Sequence, residues 1–187
     1  MENTIIVLKD HVVALTGRSG SGKTSVIDAL IRLHPELNKV VTITTRQTRA
    51  GEVSGENRIF VTKEEFEEMR SNGELACLKK DRQGNQYAIP KSFSGNIIDL
   101  DLNGIEKFRS EFPNVRILAI GLEQPGWKCA FRMMRRGDKM TNIYSRILND
   151  KESFKNMDNV VDFVLHPRNQ TVKETADAVW SIIMNNN

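Results

Sequence analysis

One stretch constrains the fold more than any other: Gly17-Arg18-Ser19-Gly20-Ser21-Gly22-Lys23-Thr24, which fits the pattern G-x-x-x-x-G-K-[ST]. The apolar run Val12-Val13-Ala14-Leu15-Thr16 precedes it, and Val26, Ile27, Leu30, Ile31 and Leu33 follow at helical spacing. The order is therefore strand, glycine-rich turn, helix. Such a turn can surround a polyphosphate with backbone N–H groups only if it bends tightly with no side chains in the way. That is the task expected of Gly17, Gly20 and Gly22. The helix N-terminus adds partial positive charge. Lys23 is expected near the β and γ phosphates, and the Thr24 hydroxyl is expected to ligate Mg2+.

The rest of the chain reads as alternating strand and helix with one interruption. Pro35 stops the first helix, and Val40-Val41-Thr42-Ile43-Thr44 is β-branched throughout, as a strand requires. Residues 45–96 turn polar, with strand-like pieces at 59–61 and 75–78 around one helix. Thr62 and Glu65 form that helix's capping box, and Phe66 and Met69 are its buried positions. Strands are expected at 96–101 and 115–120 with a helix at 103–112 between them. Two helices then flank Arg132-Met133-Met134-Arg135-Arg136-Gly137, followed by a strand at 160–165 and a last helix at 171–183. The expected fold class is α/β: a parallel sheet of the P-loop NTPase type flanked by helices, forming one domain over 1–187. Its core is 1–44 and 97–187, with a small mixed α+β subdomain inserted at 45–96.

Composition narrows the partners. In 187 residues, 27 Lys and Arg against 24 Asp and Glu leave a formal charge of +3. That is too mild for a nucleic-acid surface, so a bound anion must be held locally. Two cysteines, Cys77 and Cys129, are too few for a disulfide framework, which points to a reducing, cytoplasmic setting. The apolar run Ile5-Ile6-Val7-Leu8 is shorter than a signal-peptide core and lacks a basic lead. No stretch approaches the roughly 20 apolar residues that span a bilayer. Neither nucleic acid nor membrane is an expected partner.

Beyond the loop, Thr44-Thr45-Arg46-Gln47-Thr48-Arg49-Ala50-Gly51-Glu52, then Gly55, then Ile59-Phe60-Val61-Thr62-Lys63-Glu64-Glu65-Phe66 resemble the guanylate kinase family. The order and spacing hold to the C-terminus. The resemblance implies an ATP-dependent nucleoside-monophosphate kinase that works with Mg2+, as a monomer or homodimer, on GMP or dGMP. Residues 17–25, Gly17, Arg18, Ser19, Gly20, Ser21, Gly22, Lys23, Thr24 and Ser25, are expected at ATP, and the resemblance implies a helical lid at about 134–150, with Arg132, Arg136 and Arg146 as lid arginines closing over the phosphates. Arg46 and Arg49 match the pair that holds the acceptor's phosphate, for which guanidinium forks suit bidentate contact. Tyr87 matches a tyrosine on that phosphate, and Glu52 belongs to the same segment. Asp99 matches a carboxylate near the metal and the reacting phosphates, and Asp101 one that faces the acceptor nucleotide.

Three positions depart from the family pattern, all where the acceptor is read. Cys77 replaces a glutamate that accepts guanine's N1–H and amino hydrogens, Arg58 replaces a second tyrosine, and Thr42 replaces a serine. Glu74 stands three residues before Cys77, so plain alternation turns it to the opposite face. Asp81 is the other candidate for a substitute carboxylate. Two alternatives stay open: a kinase for another monophosphate or for ribose 1,5-bisphosphate, and a non-catalytic binding module of the same architecture.

Overall fold

The structure is a computed structural model that describes residues 11–48, 52–56, 58–81 and 83–186. Arg49 lies outside the described residues, as does the run at 5–8. Along the chain come β1 (His11–Thr16), α1 (Lys23–Leu33), β2 (Thr42–Thr44), β3 (Arg58–Phe60) and α2 (Lys63–Ser71). Next are β4 (Leu75–Lys80), β5 (Gln86–Pro90), β6 (Ile97–Asp99), α3 (Leu102–Glu111) and β7 (Arg116–Leu122). The chain finishes with α4 (Gly126–Arg135), α5 (Met140–Ser153), α6 (Met157–Val160), β8 (Phe163–Leu165) and α7 (Val172–Asn185).

The first sheet has the order β6-β1-β7-β8, and each neighbouring pair runs parallel. Alternation along β1 builds a core on each side of it. Val13 and Leu15 pack with Val26, Ile27 and Leu30 of α1 and with Ala176, Val179 and Ile183 of α7. Val12 and Ala14 face the other way, toward Leu102, Ile105 and Phe108 of α3. A sheet covered on both faces explains why β1 and β7 read as continuous apolar runs. On the α1–α7 side His34 stacks on Trp180, with ring centroids 3.6 Å apart, which is a packing role for that histidine.

The second sheet, in the order β3-β2-β5-β4, is mixed: β2 pairs parallel with β3 and antiparallel with β5. Phe66 of α2 packs beneath it against Ile43, Leu75 and Ala88. Thr62 caps α2 through a capping box with Glu65, as its sequence implies.

Some boundaries differ from the sequence reading, for physical reasons. The β-branched run at 40–44 is shared between sheets: Lys39 bridges to Ile97, and the Val40 N–H bonds Ile97 O at 2.9 Å before the chain enters β2. β5 gave no strand signal because its residues, Gln86-Tyr87-Ala88-Ile89-Pro90, mix polar, small and ring types. The last strand begins only at Phe163, since Met157–Val160 are coiled as α6.

Candidate active site

The glycine-rich turn leaves the C-terminal end of β1 and enters α1, where Gly22 is the N-cap with φ 102° and no side-chain cap. Two glycines are required by close approach. A Cβ at Gly17 would stand 2.5 Å from Leu122 O, and one at Gly20 would stand 2.5 Å from Cys129 O. The Ser21 hydroxyl is buried with no partner, which is unusual in a folded interior and suits a polar ligand in the turn. Thr24 and Ser25 lie exposed on the first turn of α1.

This turn is satisfied from within. Lys23 Nζ donates to Gly17 O at 2.6 Å and Arg18 O at 3.2 Å. The Ser19 N–H donates to Asp150 Oδ2 of α5 at 2.6 Å, so a carboxylate occupies one of the turn's backbone donors. Arg132 Nη1 donates to Ser21 O at 2.8 Å and so already lies over the turn. Arg136 and Arg146 do not reach it. Both bond Asp138, at 2.5 and 3.0 Å between guanidinium nitrogen and Oδ2.

A cavity of about 720 Å3 joins the turn to the second sheet. Gly17, Ser19, Lys23 and Asp150 line its donor end, with Asp99 beside them at the end of β6. Thr42, Arg58, Cys77, Lys79, Tyr87 and Asp101 line the other end. Arg58 Nη1 donates to Thr42 Oγ1 at 3.3 Å and its guanidinium lies 5.7 Å from the Tyr87 ring centre. Arg46 is not on this lining; it forks onto both oxygens of Glu52 at 2.9 Å and lies 5.3 Å from the Phe60 ring centre.

The two proposed substitutes for the missing glutamate do not serve. Glu74 is exposed, accepts from Asn72 Nδ2 at 3.0 Å and is absent from the cavity lining. Asp81 does line the cavity, but its oxygens are taken. The N–H groups of Gln83 and Asn85 reach Oδ1, each at 2.9 Å, while Asn85 Nδ2 at 2.9 Å and Tyr87 Oη at 3.1 Å reach Oδ2. A carboxylate offers about four acceptor positions, so Asp81 is a loop anchor. Burial pushes its pKa up, yet the bonds from Asn85, Tyr87 and Gln83 hold it below the ordinary value. Burial, followed by the Asp81 charge, raises the pKa of Tyr87, which stays a neutral donor.

Cys77 itself occupies a β-bulge, with register shifting between Ala76 and Lys79, and has φ +53°, in the left-handed region that only glycine adopts easily. Its N–H donates to Glu111 Oε2 at 2.9 Å. Burial, with the Glu111 charge adding to it, pushes the thiol up to about 12. Cys77 is thus a neutral, weakly polar wall and cannot replace a carboxylate. In the native protein at pH 8 its alkylation by iodoacetamide is expected to run at least roughly a hundredfold slower than that of a free cysteine thiol. A rate matching the unfolded chain would refute this.

Sequence reading did not find Lys79, Lys107, Asp138 or Asp150. Lys79 bonds Asp101 Oδ2, and Lys107 donates to Leu78 O. Asp101 meanwhile caps α3, its Oδ1 accepting from Gly104 N–H at 2.8 Å. The pair Lys79-Lys80 reads locally as an exposed charge run, and Asp150 is 131 residues from the amide it meets. Among the described residues no cluster of three or more His, Cys, Asp or Glu side chains is placed to hold a metal ion. Mg2+ needs no such cluster, because phosphate oxygens and water supply most of its ligands. A hydroxyl, Thr24, and one carboxylate, Asp99, fit that requirement.

A parallel sheet whose second strand in spatial order ends in a phosphate cradle, with an inserted sheet walling the same cavity, defines the fold of the P-loop kinases. The family profile for guanylate kinase matches residues 9–186, and the chain belongs to that family. It is 32% identical over 161 residues to a guanylate kinase of a Nostoc species, covering 81% of this chain and 79% of that one. To a guanylate kinase of Trichormus variabilis it is 34% identical over 146 residues, covering 73% and 72%. Among solved structures, the guanylate kinase of Anaplasma phagocytophilum aligns with TM-score 0.70 at 23% identity over 94% of this chain and 85% of that one. A shikimate kinase from Acinetobacter baumannii aligns with TM-score 0.54 at 12% identity, covering 96% of each chain, which speaks to the shared fold alone. No helix among the described residues is long and apolar enough to cross a membrane.

Proposed function

We propose that this protein transfers the γ-phosphoryl group of ATP to GMP or dGMP. The observation that carries the reading is the single cavity that joins the phosphate cradle, with Lys23 and Ser19, to the acceptor wall of Arg58, Tyr87 and Asp101. An oxygen of the acceptor's phosphate attacks the γ-phosphorus, the bond to the β–γ bridging oxygen breaks, and ADP leaves. The attacking group is already an oxyanion, so no side chain has to remove a proton. The protein's work is positioning and charge neutralisation.

Gly17, Gly20, Gly22 and the amides of residues 18–24 hold the β-phosphate, with Lys23 spanning to the γ-phosphate. Thr24 and Asp99 would hold Mg2+, which would supply charge neutralisation for the transferring phosphates. Arg46 and Arg49 with Tyr87 take the acceptor's phosphate, and the second sheet forms the acceptor-binding subdomain. The lid, about 134–150, closes to bring Arg136 and Arg146 onto the transferring group, while Arg132 stays over the turn. The buried, unpaired cysteines suit a cytoplasmic setting. The relatives named above favour a nucleoside-monophosphate acceptor over ribose 1,5-bisphosphate, and the presence of Lys23 and the lid arginines favours a catalyst over a binding module.

The test is ADP release from ATP and Mg2+ with GMP, dGMP, AMP, CMP, UMP, dTMP and ribose 1,5-bisphosphate in turn. ADP formation that depends on GMP or dGMP is the expected result. Turnover with ribose 1,5-bisphosphate alone, or none with any acceptor, would overturn the reading.

A further inference from the structure

We propose that Lys79 is a selectivity residue of the acceptor pocket, which with Asp101 reads the guanine edge in place of the missing carboxylate at Cys77. This rests on the GMP reading above.

The bulge puts Lys79 where it can act. In β4 and β5, Leu75 pairs with Pro90 and Ala76 with Ile89, but after the shift Lys79 pairs with Tyr87 and Lys80 with Gln86. Continued without the shift, the first register would set Lys79 opposite Gln86. One inserted residue therefore moves the lysine to the face it shares with Tyr87, which lines the cavity. There its ammonium meets Asp101 Oδ2, and the two side chains remain 52% and 34% exposed. A pair as open as this contributes little to folding, so stability does not account for it.

Several other polar groups around Cys77 are engaged, Arg58 donating to Thr42 Oγ1 at 3.3 Å among them. Asp81 has all its acceptor positions filled, Glu74 lies off the lining, and the Cys77 thiol is neutral. Lys107, also on the lining, spends a donor on Leu78 O. Lys79 and Asp101 set an ammonium next to a carboxylate on this wall, a donor beside an acceptor. Guanine presents the complement along one edge: the O6 acceptor, then the N1–H and amino donors. A lysine is a good partner for O6, as it is when proteins read guanine in nucleic acids. Adenine offers an amino donor at the O6 position and a bare N1 acceptor, so it meets both members of the pair with the wrong polarity. Hypoxanthine keeps O6 and N1–H and lacks only the amino group.

The experiment is steady-state kinetics on the full chain and on Lys79→Met, with GMP, IMP and AMP as acceptors at saturating ATP. The variant is expected to lose roughly tenfold in kcat/KM for GMP and for IMP alike, mainly through KM, since one charge-assisted hydrogen bond is removed. The value for AMP should hold or rise, and KM for ATP should stay within about twofold. Lys79→Arg, which keeps a cationic donor, should recover part of the loss. An unchanged ratio of GMP to AMP in Lys79→Met, or an equal loss with all three acceptors, would overturn the role of Lys79 and leave the kinase reading standing. Absence of GMP turnover in the unaltered chain would overturn that reading, and this one with it. If Lys79→Met failed to fold, Lys79→Gln, which also lacks the cation, would give the same test, with Lys79→Arg as the partly recovered control.

Discussion

Lys23→Ala is expected to lower kcat by about a hundred- to thousandfold, the effect of removing a positioned group from the developing charge of a transition state. The fold should survive it. In the empty protein the ammonium only bonds Gly17 O and Arg18 O, carbonyls that water can reach once the side chain is gone. Their loss is worth about 1 kcal/mol, or roughly 2–4 °C in Tm for a chain of this size. Kinetics and thermal denaturation on the same preparation separate the two effects. Turnover at the native level would refute the assignment of this loop.

Asp150→Ala should act in the opposite direction on ATP. The Asp150 carboxylate holds the Ser19 N–H at 2.6 Å, and a phosphate oxygen needs that amide. Charge-assisted bonds of this kind contribute about 1.5–3 kcal/mol, so removing the competitor should tighten ATP binding by up to about ten- to a hundredfold. The unliganded variant should also melt a few degrees lower, because an amide of the turn loses its partner. Calorimetric titration with a non-hydrolysable ATP analogue measures the first effect. Affinity equal to or weaker than that of the unaltered chain would show that the carboxylate does not compete.

The parts of the molecule legible in the sequence are those whose cause is local. The run before Gly17, the glycines, and the helical spacing from Val26 to Leu33 carry the cradle complete, because a tight anion-binding turn needs those residues in that order. The capping box at Thr62 and Glu65 spans only three positions and shows itself equally well. Other features depend on distant partners. The bulge at Cys77 carries no glycine to announce a positive φ, so plain alternation misplaces everything after it. Lys79 then passes for solvated charge, although the second sheet turns it into the cavity. Asp150 meets the cradle only because α5 comes back to the turn after β1, and no pattern near either residue records that approach.

The internal pairing of the site has a consequence for how it fills. Arg46 rests on Glu52, Arg136 and Arg146 on Asp138, and the Ser19 amide on Asp150. On the proposed roles, substrate binding would be an exchange reaction, in which each incoming phosphate takes over a donor from a resident acid. The measured affinity is a difference between two contacts of similar chemistry, smaller than either. The displaced acids on the donor side, Asp138 and Asp150, both belong to the α4–α5 segment. Once ousted they would face an anion they cannot approach, and like-charge repulsion would push that segment toward a new position. Arrival of the nucleotide and rearrangement of the helices above it would in this way be two halves of one electrostatic event.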